Sequence, residues 1–543
     1  MLGAIKFEIT VHKRKGKEAT MAVQGSGDEP VERASGGASW QERENNIRPL
    51  GAVLQPPAGE GDDHFYPTVY IPDRLLVAAD RDAAEVARSL NAAFERAGWR
   101  FEPIPVVTID RRASHSDVDL ASATRLQIMG EGAAAGSNPD GWAILDAARR
   151  AGVDLEGVGL DHLLTVAPVG MNPFMSTNPY GSTNPYGSTN PYTSTNPYTS
   201  TSPYGSTNPA AAGLGGYALP GFGGRQVISW IGEAPARDRE RTRRRPVVMI
   251  VDTGCAPHPW FDGGVVDTHV TLDGEPIGIA DPATTPDLHP DLVGPLDGEI
   301  DPVSGHGTFL AGIVHQVCPD ADILSVRIAD SLGRVIESDL MKVVEQIAEL
   351  VRRHARGEQG GRRIDVLNLS LGYYHEKPED EIYSNGLRKA LLKIARYGTT
   401  IVCSAGNDAT DRPMFPAAFP KGEHGAPLLA VGAKNPSGKS VALFSNTAPW
   451  VDVYACGVSV LSTFPSFDGG AQAVTRRDAH GERRESLDPD DFTGGFAVWS
   501  GTSFAAPLIS GRIAAHFNGW DDDADAAARI ARAAEVVEKL QAE

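Results

Sequence analysis

Val247-Val248-Met249-Ile250-Val251-Asp252-Thr253-Gly254 decides the fold, because five consecutive apolar residues run straight into a polar turn. A strand with one wet face alternates apolar and polar residues. An unbroken apolar run suits a strand covered on both faces, as in a parallel sheet flanked by helices. Similar runs recur at Ile323 to Ile328, Ile364 to Leu369, Thr399 to Val402 and Leu428 to Val431. Helical stretches separate them, the clearest from Ser338 to His354, where Leu340, Val343, Val344, Ile347 and Leu350 share one face. This alternation predicts an α/β doubly wound parallel sheet with right-handed crossovers over residues 226–520, followed by a C-terminal helix over 521–543.

A shorter pattern lies upstream. Arg74 to Ala78 is strand-like, and Val86, Leu90, Phe94 and Ala97 follow helical spacing up to Gly98. Ile104 to Ile109 and Thr124 to Met129 read as strands. Asn138 and Pro139 read as the cap and first residue of a helix carrying Trp142, Leu145 and Ala148, and His162 to Val166 reads as a last strand. The order β-α-β-β-α-β predicts a smaller α+β ferredoxin-like domain over 63–170. Residues 1–62 show no sustained period and read as a disordered tail. Between the two domains, 171–225 carries an Asn-Pro-Tyr repeat whose aromatic returns every sixth residue, at Phe174, Tyr180, Tyr186, Tyr192, Tyr198 and Tyr204. A proline in every period bars a helix or a central strand, so the segment reads as a tether or as a tyrosine-bearing docking segment.

Composition narrows the function classes. Of 543 residues, 41% are hydrophobic and 22% charged, which is ordinary for a soluble globular chain. A formal charge of −20 repels polyanions, so neither nucleic acid nor an anionic membrane is an expected partner. No apolar run reaches membrane-spanning length and no secretory leader is visible. Four cysteines without a Cys-x-x-Cys pair make no disulfide framework, and a cytoplasmic location is the expectation.

Working groups in such sheets stand at the carboxyl ends of strands. Asp252 follows the first buried run directly. Ser304-Gly305-His306-Gly307-Thr308 places a histidine between glycines at a helix start, where missing side-chain bulk permits close approach. Ser404-Ala405-Gly406-Asn407 follows another buried strand, and an asparagine amide there is a candidate oxyanion donor. Gly501-Thr502-Ser503-Phe504-Ala505-Ala506-Pro507 opens a helix with a serine among small residues, where the helix dipole favours developing negative charge.

Taken together, in the chain order Asp, His, Asn, Ser, these four motifs resemble the subtilase family of subtilisin-like serine peptidases over about Gln226 to Gly519. The resemblance implies Ser503 as nucleophile, His306 as general base and then acid, Asp252 as the group orienting the imidazolium, and Asn407 as oxyanion donor. It also implies a substrate-binding strand at Asn368 to Gly372, with Ser370, Leu371 and Gly372 pairing to peptide or protein substrates. Ile328 to Gly333 would form the opposite wall. The upstream domain then resembles the family's propeptide, an intramolecular inhibitor, although here the repeat intervenes before the catalytic domain.

Further departures stand out. Phe309 occupies a position where the family often has a second histidine. The long stretch from Asp252 to His306 reads as a solvated inserted loop; a structural calcium is possible there, but no Asp-x-Asp-x-Asp-Gly pattern supports it, and the chemistry itself needs no cofactor or metal. Cys255 and Cys403 read as buried apolar thiols, with redox sensitivity the alternative for Cys255. The arginines at 237, 239, 241, 243, 244 and 245 read as a processing site or as a solvated linker face. Two other function classes compete: a silent peptide-binding module, which would not require all four groups, and an esterase of another hydrolase fold, in which the histidine comes last.

Overall fold

A computed structural model describes residues 51–54, 68–106, 123–166, 224–228, 231–238, 244–290, 292, 300–376, 385–422, 425–467, 475–477, 483–485, 492–520 and 525–542. The repeat and Arg239, Arg241 and Arg243 lie outside them.

The N-terminal part comprises β1 (Ala52–Leu54), β2 (Thr68–Ala78), helix α1 (Ala83–Phe94), β3 (Trp99–Pro105), β4 (Ala123–Gly130), α2 (Gly141–Arg150) and β5 (Val158–Val166). Its strands are antiparallel, and Leu75, Leu90, Phe101, Leu126 and Leu145 make its core. Three local readings shift. β1 pairs with β2 inside the stretch read as a tail. β3 begins at Trp99 rather than Ile104, because Gly98 in the left-handed region ends the helix and turns the chain at once. Asp140, not Asn138, caps α2, accepting from the Ala143 amide at 3.1 Å.

Downstream, β6 (Gln226–Ile228) joins a small antiparallel sheet. Then come β7 (Val247–Asp252), β8 (Val266–Asp267), β9 (Thr271–Leu272), β10 (Glu275–Pro276), α3 (His306–Val317), β11 (Asp322–Arg327), β12 (Arg334–Ile336), α4 (Glu337–Ala355), β13 (Val366–Leu369) and β14 (Leu371–Gly372). The chain closes with α5 (Asn385–Ala395), β15 (Thr400–Ser404), β16 (Leu428–Lys434), β17 (Val453–Cys456), α6 (Thr502–Phe517) and α7 (Ala526–Ala542). Seven strands form a parallel sheet in the order β17-β16-β15-β13-β7-β11-β8. The two-sided burial read from Val247 to Val251 is literal. Val248 and Ile250 face a core shared with Phe309, Phe504 and Val536, while Met249 and Val251 face one shared with Leu340, Ile347 and Leu391. Helix α7 packs into the first of these cores through Ala533, Val536 and Val537 and so belongs to the same domain as the sheet. No described helix is long and apolar enough to cross a membrane.

At the far ends of the strands from the candidate site, buried Asp365 accepts from the Val247 amide at 2.8 Å and pairs with Arg244. Arg245 pairs with Asp320 and Arg237 with Asp322, so these three arginines anchor the incoming chain to the domain. Replacing Asp365 with Ala would leave a buried guanidinium and a strand-end amide without this carboxylate. Thermal or denaturant unfolding is expected to show a loss on the order of 3–5 kcal/mol.

Candidate active site

Parallel strands send the chain out at one edge of the sheet, and the site is built there. Asp252 is the last residue of β7, and Asp252 Oδ1 lies 2.7 Å from His306 Nδ1 at the head of α3. Both residues are fully buried. Among the described residues His306 Nε2 has no hydrogen-bond partner, and its ring packs against Trp499 and Phe504 at centroid distances of 5.7 and 5.2 Å.

The flanking glycines have separate reasons. Gly305 holds φ at 84° with its α-carbon against the Phe464 ring. A β-carbon on Gly307 would lie 2.0 Å from the Gly254 carbonyl oxygen, so the histidine turn rests directly on the backbone that follows Asp252. Phe309 is a core residue, with its ring 4.7 Å from that of Phe504.

Ser503 is the second residue of α6 and is buried beside Phe504. Its hydroxyl lies 3.4 Å from the carbonyl of Ser370 and donates there. Pro507 stands inside α6, in its second turn rather than at its start, and has no N–H to give the Ser503 carbonyl four residues back. The Ser370 hydroxyl takes that role at 3.0 Å and is itself held by Asn368 Nδ2 at 2.9 Å, whose Oδ1 accepts from Ser510. A proline gap in one element is thus filled from the neighbouring strand, and the serine turn is fixed in place.

Asn407 follows β15, and its Oδ1 accepts from the amide and hydroxyl of Thr502 at 2.8 and 2.9 Å. That fixes the sense of the carboxamide, with its oxygen toward Thr502 and its NH2 turned the other way. Ser503 and Asn407 share a cavity with Gly372, Tyr374, Asp408 and Met414. Burial pushes the Asp408 carboxyl up to about 6, although the Tyr374 hydroxyl and Arg412 oppose the shift.

Leu371 and Gly372 already pair with a peptide strand, the chain's own β5. The register is antiparallel, with Leu371 opposite Val166 and Gly372 opposite Thr165. On its other side β5 pairs with β12, and the Val166 amide donates to the Gly333 carbonyl at 2.7 Å. The segment facing β5 on that side is Gly333 to Ile336, which meets the stretch read from sequence as the opposite wall, Ile328 to Gly333, only at Gly333. Ser370 makes no ladder pair with β5 but braces Ser503 instead. Thr68, Val69, Leu163 and Thr165 of the N-terminal part help line the cavity that holds Ser503.

Sequence reading missed Asp287. It lies in the stretch taken for a solvated loop, yet it is buried. Its carboxylate accepts from the Thr253 hydroxyl at 2.6 Å, from the Thr308 amide at 2.8 Å and from the Thr308 hydroxyl. Thr253 in turn accepts from the Gly307 amide and Thr308 from the Ala256 amide, each at 2.8 Å. One carboxylate therefore ties the Asp252 turn to the His306 turn. The signal available in sequence was the threonine one residue after Asp252 and two residues after His306. Burial raises the Asp287 carboxyl, and Asp252 adds to the shift. Trp260, Phe261 and Val265 of the same stretch are buried too.

Three other described carboxylates of this stretch are engaged by protein donors. Asp267 pairs with Arg362, Asp273 with Arg353, and Asp301 accepts from Ser331 and from the Leu292 amide. Cys255 and Cys403 are buried, which pushes both thiols up and keeps them protonated.

A carboxylate-bound buried histidine, a helix-start serine and an oriented asparagine thus gather on the carboxyl edge of one parallel sheet. The family-wide model described as "Subtilase family" matches residues 243–540, more than half of the chain, and the chain belongs to that family. It is similar to an intracellular serine protease of Paenibacillus polymyxa, 24% identical over 297 residues that span 52% of this chain and 69% of that protein. It also resembles a thermophilic serine proteinase of Bacillus sp. (strain AK1), 27% identical over 42% of this chain and 48% of that one. Subtilisin-like protease 5 of Arthroderma gypseum is 30% identical over 32% of this chain and 39% of its own length, so the last two relatives are spanned over less than half. Solved structures that match include a cold adapted subtilisin-like serine proteinase, 21% identical with a TM-score of 0.34 over 55% of this chain and 85% of that one. A lanthipeptide protease matches at 20% identity and a TM-score of 0.36, over 54% of this chain and 79% of that one.

Asp287→Asn turns one acceptor oxygen into a donor facing donors. The loss of hydrogen bonds to a charged group, about 1.5–3 kcal/mol, is expected to slow labelling of Ser503 by a serine-directed fluorophosphonate about 10- to 100-fold. Labelling rate and melting temperature measured together check that the rate falls by more than the stability loss explains.

Proposed function

We propose that this chain is a serine endopeptidase that hydrolyses peptide bonds through an acyl-enzyme and is inhibited by its own N-terminal domain. Ser503 attacks the scissile carbonyl, and His306 takes its proton and then passes it to the leaving amine. Asp252 holds the imidazole tautomer and stabilises the imidazolium. Asn407 and the Ser503 amide carry the oxyanion.

The observation that carries this reading is a buried histidine whose Nδ1 is bound to a carboxylate and whose Nε2 has no partner among the described residues. Leaving a buried ring nitrogen unsatisfied costs about 1–3 kcal/mol, and a general base is the group that needs that nitrogen open. The serine hydroxyl's turn toward Ser370 fits a resting state, since nucleophile and base close up as substrate binds.

Occlusion by the N-terminal domain is supported by the register of β5. Laid antiparallel on β14, with Gly372 opposite Thr165 and Leu371 opposite Val166, it runs toward Ser370 and hence toward Ser503. It therefore fills the edge that an extended substrate would use.

Full-length protein should show Ser503-dependent fluorophosphonate labelling that vanishes in Ser503→Ala. Asn407→Ala should lower turnover of a peptide substrate about 100- to 1000-fold. Val166→Pro removes the donor to Gly333 and should raise both labelling and hydrolysis. Failure of both proteins, wild type and Val166→Pro, to label at Ser503 would sink the enzyme reading, whereas equal rates in the two would sink only the inhibitor reading.

A further inference from the structure

We propose that His162, His375 and Glu376 form a binding site for a zinc-like divalent cation that bridges the N-terminal strand β5 and the peptidase domain. His162 lies on β5, three residues before Thr165, while His375 and Glu376 follow β14 in the chain. All three are buried, and their ligating atoms lie within 4.8 Å of one another.

The His162 ring is oriented as a metal-binding imidazole is. Its Nδ1 lies 2.7 Å from Glu337 Oε2, and the other oxygen of Glu337 accepts from the Tyr373 hydroxyl at 3.1 Å. Tyr373 also stacks on the ring at 4.8 Å. A histidine that binds metal through one nitrogen almost always donates the other N–H to a carboxylate held in this way. His162 Nε2 then faces Glu376 Oε2 at 2.8 Å.

His375 Nδ1 lies 3.6 Å from the same oxygen, too long for a hydrogen bond. A tetrahedral ion with arms of about 2.0–2.1 Å sets its ligand atoms about 3.3 Å apart. The two separations from Glu376 Oε2 bracket that value, and the widest separation within the group, at most 4.8 Å, closes as the ion draws its ligands in. The fourth position falls to the second Glu376 oxygen or to water.

Charge points the same way. Asp161, Glu337 and Glu376 are all buried at this junction. Asp161 accepts from the amide and hydroxyl of Ser338 at the start of α4, with Arg74 nearby, and Arg412 donates to the His375 carbonyl. Two nitrogens and one carboxylate, without a thiolate, is a donor set that suits zinc.

Metal binding does not depend on the peptidase reading, so it is tested without hydrolysis. Full-length Ser503→Ala protein, stripped by chelator, is titrated with Zn2+ by calorimetry and with Co2+ by visible absorption. One equivalent is expected, with a tetrahedral cobalt spectrum and a higher melting temperature when zinc is bound. His375→Asn and Glu376→Gln should each weaken binding at least 100-fold, and Glu337→Gln about 10- to 100-fold. Absence of stoichiometric binding in the parent protein, or binding that these changes leave untouched, overturns the proposal and leaves His162 as an imidazolium between two carboxylates.

Discussion

Parallel pairing is the constraint on which this structure depends. A parallel sheet cannot be closed by short hairpins, so every strand must hand the chain to a crossover that leaves at the carboxyl edge. Asp252, Ser370, Asn407 and the two helix starts at His306 and Ser503 are scattered over some 250 positions of sequence, yet all stand on that edge. Nothing in their local sequences brings them together; the sheet does. Helices α3 and α6 pack side by side on one face, through Phe309 and Phe504, and this contact sets His306 and Ser503 in one neighbourhood.

Legibility followed from how local the physics was. The strands from Val247 and Leu428 and the helix around Leu340 to Leu350 were readable because double-sided burial and a single apolar helix face leave regular patterns. β17, with its alternation of buried and half-buried residues, lies at a sheet edge and leaves no such run. The four chemical motifs were legible because glycines and small residues mark close approach. Asp287 was not. A carboxylate in a stretch rich in Asp and Pro looks solvated until two distant threonines converge on it, and that convergence is a tertiary fact. For the same reason Pro507 could not be understood from its own helix, since the donor that compensates for its missing N–H comes from Ser370, more than a hundred residues away.

The N-terminal domain is bound by more than the edge pairing. Asp161 caps α4, supplying a side-chain acceptor to a helix start that has none of its own at Ile336. Thr68 donates to the Tyr374 carbonyl at 2.6 Å, and Leu76, Leu164 and Val166 enter the core beneath α4 and α5. Strand edge, helix cap and apolar contact are three independent kinds of interaction, and each satisfies a group on the peptidase domain that the N-terminal domain's departure would leave open.

That redundancy bears on how the site could ever work. His306 is 0% and Ser503 1% exposed, and residues of β2 and β5 line the cavity beside the serine. The hydrogen-bonding edges of β12 and β14, where the proposed function places an extended peptide, are already held by β5 on both sides. If the edge of β14 is the substrate strand, as proposed, a substrate competes with a strand joined to the same chain, whose local concentration exceeds that of any free peptide in dilute solution. Main-chain pairing to β14 cannot favour the newcomer, because both strands make the same backbone bonds. Opening has to come from the contacts that β5 and its domain make and a substrate does not: the Asp161 cap, the buried group around His162 and the apolar seam under α4. On the proposed reading, the chemistry at the carboxyl edge is governed from the interface behind it.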